Sequence, residues 1–175
     1  MKNIPYFLHF CDSPVGRLAL RSDGSFLTGL YIQNQTGFPS DGEAKNAQSG
    51  FPRVFANTVR WLDEYFSGKN PDFAIPVSFC GTEFQKDVWE RLTKIPYGKT
   101  VTYGEIAAEI ASKRGIKRMS AQAVGGAVGK NPVSIIVPCH RVIGSDGSLT
   151  GYNGGTAIKE KLLAIEQGEN IRKND

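Results

Sequence analysis

Cysteine, histidine and long apolar runs are scarce in this 175-residue chain, and each scarcity excludes something. The three cysteines, Cys11, Cys80 and Cys139, are an odd number with no CxxC pair, which argues against a disulfide framework and for a reducing compartment. A thiol would stay reduced there. The two histidines give no metal site: His9 with Cys11 and Cys139 with His140 do not match familiar ligand spacings, so no metal and no cofactor are expected. No stretch approaches the ~18 apolar residues of a membrane helix, and Met1 to Pro5 lacks a basic region followed by an apolar run. The expectation is a cytoplasmic protein with no membrane contact. GxxxxGK[ST] and GxGxxG are also absent, so the glycine-rich run Gly151-Tyr152-Asn153-Gly154-Gly155 is not read as a phosphate cradle.

What is present is ordinary for a globular chain, with 40% hydrophobic and 22% charged residues. The net charge of +4 is a weak pointer to a polyanion, but its placement is informative. Residues 1–79 carry seven basic and seven acidic side chains, whereas residues 84–130 carry nine basic against four acidic.

The N-terminal third predicts three short strands, Pro5 to Phe10, Arg17 to Arg21 and Phe26 to Ile32, joined by turns as a meander. Thr36 to Gly50 reads as a mobile loop. Phe55, Val59, Leu62 and Phe66 then recur at helical spacing up to Gly68, with Trp61 and Tyr65 assigned to packing. Phe73 to Phe79 is expected as a further strand. Thr82-Glu83-Phe84-Gln85 is a capping box that opens a second unit. The division is therefore residues 1–79, a sheet-and-helix domain; 80–170, a second domain, which the resemblance given below implies to be DNA-binding and acceptor; and 171–175, a tail. The fold class is α/β: a small N-terminal α+β domain with an antiparallel sheet and helix, then a mainly helical domain with a helix-turn-helix and a short active-site strand.

A helix opens at Thr102-Tyr103-Gly104-Glu105, and the basic connector Lys113 to Arg118 leads to Ser120, an N-cap for the short helix Ala121 to Val128. That helix offers little polar reach beyond Gln122. Two adjacent glycines cost ~1 kcal/mol each relative to alanine, so stability is given up for a low profile. The arrangement suits sequence-independent contact in the minor groove of a duplex, since a major-groove reader needs long hydrogen-bonding side chains. Tight packing of the glycine face on another helix is the competing explanation.

Reactive groups concentrate in Ile135-Ile136-Val137-Pro138-Cys139-His140-Arg141-Val142-Ile143. The β-branched residues predict a buried strand that Pro138 ends, placing Cys139 at its mouth. A free thiol needs a base or positive surroundings to become a nucleophile, and His140 and Arg141 adjoin it. Glu166 falls on the apolar stripe Ile158, Leu162 and Ile165 of a last helix capped by Thr156, where a carboxylate needs a partner. His140 is the candidate, in a relay from Glu166 through His140 and water to Cys139; a solvated last-turn glutamate is the alternative. A buried structural cysteine and a thiol hydrolase are the other readings of Cys139.

With Asn131-Pro132-Val133 upstream and Gly151 to Gly155 downstream, this stretch resembles the active-site signature of the O6-alkylguanine-DNA alkyltransferases, and the likeness runs from about Thr82 to Gly168. The resemblance implies a monomer that flips an alkylated guanine out of double-stranded DNA and transfers the alkyl group irreversibly to Cys139. It implies activation by His140 and Glu166, a turn fixed by Asn131, and Tyr103 as proton donor to the leaving guanine. It further implies DNA contacts from Gln122, Ala123, Thr102, Arg141, Lys113, Arg114, Lys117 and Arg118, and a pocket lined by Val128, Pro132, Ser134, Val142, Ser148, Tyr152 and Asn153. One departure stands out: the family usually carries an arginine where this chain has Gln122.

Overall fold

The computed structural model describes residues 5–168, so the expected tail lies outside the described residues. Strands β1 (Phe7–Cys11), β2 (Leu18–Ser22) and β3 (Leu27–Ile32) form an antiparallel sheet in that order, as their alternating patterns and intervening turns predict. Two N-terminal expectations change. The stretch Thr36 to Gly50 contains a short helix, α1 (Asp41–Asn46), because Ser40 and Glu43 form a reciprocal capping box. Phe73 to Phe79 makes one bridge, Val77 to Leu27, and not a strand. Pro71 and Pro76 cannot donate to a ladder, which limits the pairing.

Helix α2 (Arg53–Phe66) buries Val54, Phe55, Thr58, Leu62 and Tyr65. The buried stripe is thus rotated from the expected Phe55, Val59, Leu62 and Phe66, which are only partly on it. Rotation brings Tyr65 inside, fully buried. The chain turns out of α2 at Gly68, whose φ of 82° suits glycine.

Helix α3 (Glu83–Leu92) carries the anticipated Thr82 capping box, and α4 (Tyr103–Lys113) starts from Thr102 in the same manner. Ser120 caps α5 (Ala121–Val128). The indole of Trp89 on α3 donates to the Ala127 carbonyl at 2.8 Å, fastening α5 to α3. The last helix, α6 (Thr156–Glu166), is preceded by Gly155 at φ 84° with no side-chain cap, so Thr156 is its first residue and not its cap.

The expected strand before Pro138 is absent. Residues 134–137 form a turn, Ile135 has φ 70°, and Cys139–Arg141 make one 3-10 turn. The short strand follows the cysteine instead: β5 (Val142–Ile143) pairs in parallel with β4 (Val101–Thr102). The cause is competition for backbone groups. Leu30 of β3 donates to the Pro132 carbonyl at 2.9 Å and accepts from Ser134 at 2.9 Å, while the Asn131 side chain takes up Val133 and Val137. With those groups satisfied locally, the run has no free ladder to extend.

Candidate active site

The site is built where three segments meet: the turn 131–141, the end of α6 and the inner face of α2. Asn131 organises the turn. Its Oδ1 accepts from the Val133 amide at 3.0 Å, and its Nδ2 donates to the Val137 carbonyl at 2.8 Å and faces Cys139 Sγ at 3.1 Å. Such local side-chain bonds replace a strand ladder. Cys139 is 5% exposed. Burial pushes its thiol up, opposed by the Asn131 contact and the positive charge of Lys159.

One 3-10 turn carries Cys139, His140 and Arg141, so their side chains diverge by about a third of a turn each and not to opposite faces of a strand. His140 is fully buried, and its Nε2 lies 2.6 Å from Glu166 Oε1. Burial holds the imidazole below its ordinary range, with Glu166 opposing. A neutral imidazole facing a carboxylate carries its proton on Nε2, which leaves Nδ1 as the acceptor. That Nδ1 is buried without a hydrogen-bond partner among the described residues.

Glu166 receives an unusual set of donors. Besides His140, Arg141 Nε reaches Oε2 at 2.9 Å, Arg141 Nη2 reaches Oε1 at 3.0 Å, Tyr65 donates to Oε1 at 2.9 Å and the Gly98 amide to Oε2 at 2.9 Å. Burial would raise this carboxyl, but the hydrogen bonds from His140 and Arg141 and the positive charge of Arg141 outweigh it and hold the group at about 2. Arg141 is 7% exposed and also donates to the Ile95 carbonyl at 2.6 Å. It is therefore not a DNA contact; its guanidinium is consumed as the counter-ion of Glu166.

Other candidates separate into groups. Tyr103 donates to the Thr150 carbonyl at 3.1 Å across a cavity of about 570 Å³ bounded by α4, Gln122 and Gly125 of α5, and the loop residues Gly144, Ser145, Thr150 and Gly151. None of the expected pocket residues Val128, Pro132, Ser134, Val142, Ser148, Tyr152 and Asn153 lines it. Val128, Val142, Ser134 and Tyr152 are buried in the core around the turn, and Ser134 donates to Gln35 at 3.0 Å. Ser148 bonds within its own turn through Asp146. Asn153 is exposed, pairs with the backbone of Thr36, and shares a second cavity with Asn131 and Pro132.

On the helical face, Gln122 and Ala123 are exposed on the first turn of α5. A Cβ built on Gly126 would meet no heavy atom within 4 Å, so that glycine does not serve internal packing. Thr102 is committed to its cap with Glu105. Asp87 of α3 binds both Lys113 and Arg114, leaving Lys117 and Arg118 as the connector charges with no ion pair among the described residues.

Sequence reasoning missed Tyr65, Lys159, Gln35 and Gly98. Lys159 is fully buried on α6, with Nζ 2.5 Å from the Val142 carbonyl. A lysine on the buried side of an otherwise apolar helix was the available signal; the others depend on tertiary contacts.

Residues 83–168 match the family described as 6-O-methylguanine DNA methyltransferase, DNA binding domain. Residues 7–79 match its ribonuclease-like domain. The chain is 47% identical over 156 residues to the methylated-DNA–protein-cysteine methyltransferase of Mycobacterium leprae, covering 89% of each chain. It is 40% identical over 163 residues to that of Haemophilus influenzae, covering 93% of this chain and 86% of the relative. The crystal structure of Mycobacterium tuberculosis OGT in complex with DNA superposes with a TM-score of 0.79 at 42% identity, covering 95% of this chain and 94% of the other. With both segments matched and similarity running through nearly the whole chain, this protein belongs to the 6-O-methylguanine DNA methyltransferase family.

Proposed function

We propose that the protein repairs DNA by direct reversal, passing the alkyl group of an O6-alkylguanine in double-stranded DNA irreversibly to its own Cys139. The observation that carries this reading is the buried chain of contacts from Glu166 to His140, ending on an imidazole nitrogen with no hydrogen-bond partner among the described residues, in the turn that bears the thiol. His140 Nδ1 takes the thiol proton through a water molecule while Nε2–H stays on Glu166. The thiolate attacks the alkyl carbon, an S–C bond forms, the C–O6 bond breaks with its electron pair passing to the guanine, Tyr103 protonates the departing base, and the proton held by His140 returns through solvent to the Tyr103 phenolate. The thioether is stable, so each molecule acts once. No metal or cofactor enters these steps.

A base within the stack hides its O6, and extrusion costs a few kcal/mol. Gln122 and Ala123 enter the minor groove on the low-profile helix α5, and Lys117 and Arg118 on the connector approach phosphates. The extruded base enters between Tyr103, α5 and the glycine-rich loop. The acting species is a monomer in a reducing, cytoplasmic setting, where Cys139 stays a thiol. The division near residue 80 separates the acceptor and DNA-binding unit from the N-terminal sheet.

The test is incubation with an O6-methylguanine duplex followed by peptide mass analysis. A single methyl adduct on Cys139, with unmodified guanine restored in the DNA, is the expected result; no adduct on that residue overturns the reading. A base-flipping relative without chemistry would bind the lesion and leave Cys139 unchanged.

A further inference from the structure

Tyr65 lies on α2, in the N-terminal half of the sequence, yet its hydroxyl reaches the site. It is 2.9 Å from Glu166 Oε1, 3.3 Å from His140 Nε2 and 3.4 Å from the Leu162 carbonyl. A phenol has one proton to give, and the short contact to an ionised carboxylate takes it. The ring is clamped: Trp61 stacks on it at 5.4 Å and 10°, and Tyr97 meets it edge-on at 6.0 Å. The hydroxyl therefore has little freedom to leave Oε1.

Oε1 is also the oxygen that faces His140. We propose that Tyr65 is a positioning residue of the alkyl-transfer site, through which the N-terminal unit keeps His140 neutral by sharing the Glu166 oxygen that the imidazole would otherwise hold alone. This rests on the alkyl transfer described above.

The physical argument concerns one oxygen with several donors. Each donated hydrogen bond spreads the negative charge of Glu166 and lowers its ability to stabilise an imidazolium. Arg141, beside His140 in the turn, acts in the same direction, and Lys159 from α6 adds positive charge near the imidazole. Cys139 adjoins His140 in the same turn, and Tyr97, from the loop after α3, faces both Tyr65 and Arg141. Against this set, Glu166 is the group among the described residues that favours the protonated imidazole. A protonated His140 has no free Nδ1 lone pair and cannot take the thiol proton. Phenylalanine would fill the ring's space equally well, so packing alone does not require the hydroxyl. Burial and the adjacent carboxylate push the Tyr65 phenol well above its ordinary range, so it remains a donor at every working pH.

The experiment compares wild type, Tyr65→Phe and Leu62→Ala. Leu62 is buried on the same helix, and its hydrocarbon side chain makes none of the hydrogen bonds named here. Two readouts are taken between pH 5 and 9: the single-turnover rate of methyl transfer from an O6-methylguanine duplex, and the NMR titration of the imidazoles. The chain has two histidines, so His140 is assigned by difference from His9.

In Tyr65→Phe the acid limb of the rate and the His140 titration should both move to higher pH by on the order of one unit, the scale of one hydrogen bond to a charged group. In Leu62→Ala neither midpoint should move, whatever the loss of stability. An unmoved His140 midpoint in Tyr65→Phe, or the same displacement in Leu62→Ala, overturns the proposal. The NMR titration does not depend on transfer, so failure of the wild type to methylate Cys139 would defeat the functional reading separately.

Discussion

The amide nitrogen of Asn131 stands 3.1 Å from the sulfur of Cys139 while the same nitrogen holds the Val137 carbonyl at 2.8 Å. One side chain therefore shapes the turn and polarises the thiol, and the two effects can be separated by substitution. Asn131→Ala strands a buried amide and a buried carbonyl, each at ~1–3 kcal/mol. Urea unfolding should show a loss of that order, and single-turnover transfer should slow at least tenfold even where the protein is fully folded. A slowed rate that recovers completely on stabilising the fold would limit Asn131 to shaping the turn.

Arg141 and Lys117 should behave in opposite ways. Arg141→Met leaves the Glu166 carboxylate buried without its main counter-ion, a change that typically costs about 3–5 kcal/mol. Chemical denaturation should register that loss, while the salt dependence of DNA binding stays as in wild type. Lys117→Ala should leave stability within about 0.5 kcal/mol, as for most surface substitutions. It should reduce the slope of log affinity against log salt by about one. A flattened slope in Arg141→Met would restore that residue to the DNA interface.

Gly126 offers a test of why α5 keeps a weak helix former. It is exposed, and a Cβ there meets nothing within 4 Å. Gly126→Ala should therefore stabilise the free protein by about 0.5–1 kcal/mol. Fluorescence anisotropy with a duplex should nevertheless show weaker binding, because the added methyl stands off the groove wall. Unchanged affinity would mean that α5 does not approach the duplex along this face.

Gln122 is a neutral side chain on the exposed first turn of α5. Gln122→Ala should slow repair of duplex DNA more than reaction with free alkylated guanine base, since only the duplex needs the vacated space filled. Rates on the two substrates, measured in parallel, decide it. Equal losses would place Gln122 outside base extrusion.

Acid should weaken the fold in two stages. The Glu166 carboxyl is held at about 2 in the folded protein and returns to ~4.3 when unfolded, so the unfolded chain binds more protons between those values. Its stabilisation is complete above about pH 4.3 and is lost as pH falls toward 2. His140 is also lower in the folded state, so protonation of the unfolded chain begins to withdraw stability below about pH 6.5. Denaturation midpoints from pH 8 to 3 should decline in both windows, and Glu166→Gln should flatten the lower one. A single decline confined to the region above pH 5 would contradict the buried-carboxylate account.

The sheet, the Thr82 and Thr102 caps and the short helix after Ser120 were legible because local rules decide them: alternation, capping boxes and an N-cap serine. The reading failed where side chains competed with the backbone. The β-branched run before Cys139 has the composition of a strand, but Asn131 and Leu30 satisfy its polar groups and fold it into a turn. Arg141 looked available for phosphate because its sequence neighbours do not reveal that Glu166, far along the chain, is its partner. Tyr65 was hidden by a rotation of about one residue in the buried stripe of α2, a difference that helical periodicity does not resolve.

The clamp of Asp87 on Lys113 and Arg114 bears on how this protein can be altered. It fixes the end of α4 on α3, and Ser120 independently starts α5, so the intervening connector is anchored at both ends, while between them the Ile116 amide donates to the Ala111 carbonyl at 3.0 Å and Met119 packs against the core. Loop closure grows slowly with length, about 0.6 kcal/mol per doubling, so lengthening the connector between Lys117 and Arg118 would cost the fold little. A fluorophore-bearing peptide placed there would stand between the two charges proposed to meet the phosphates, so its emission would report engagement with a duplex at some loss of affinity.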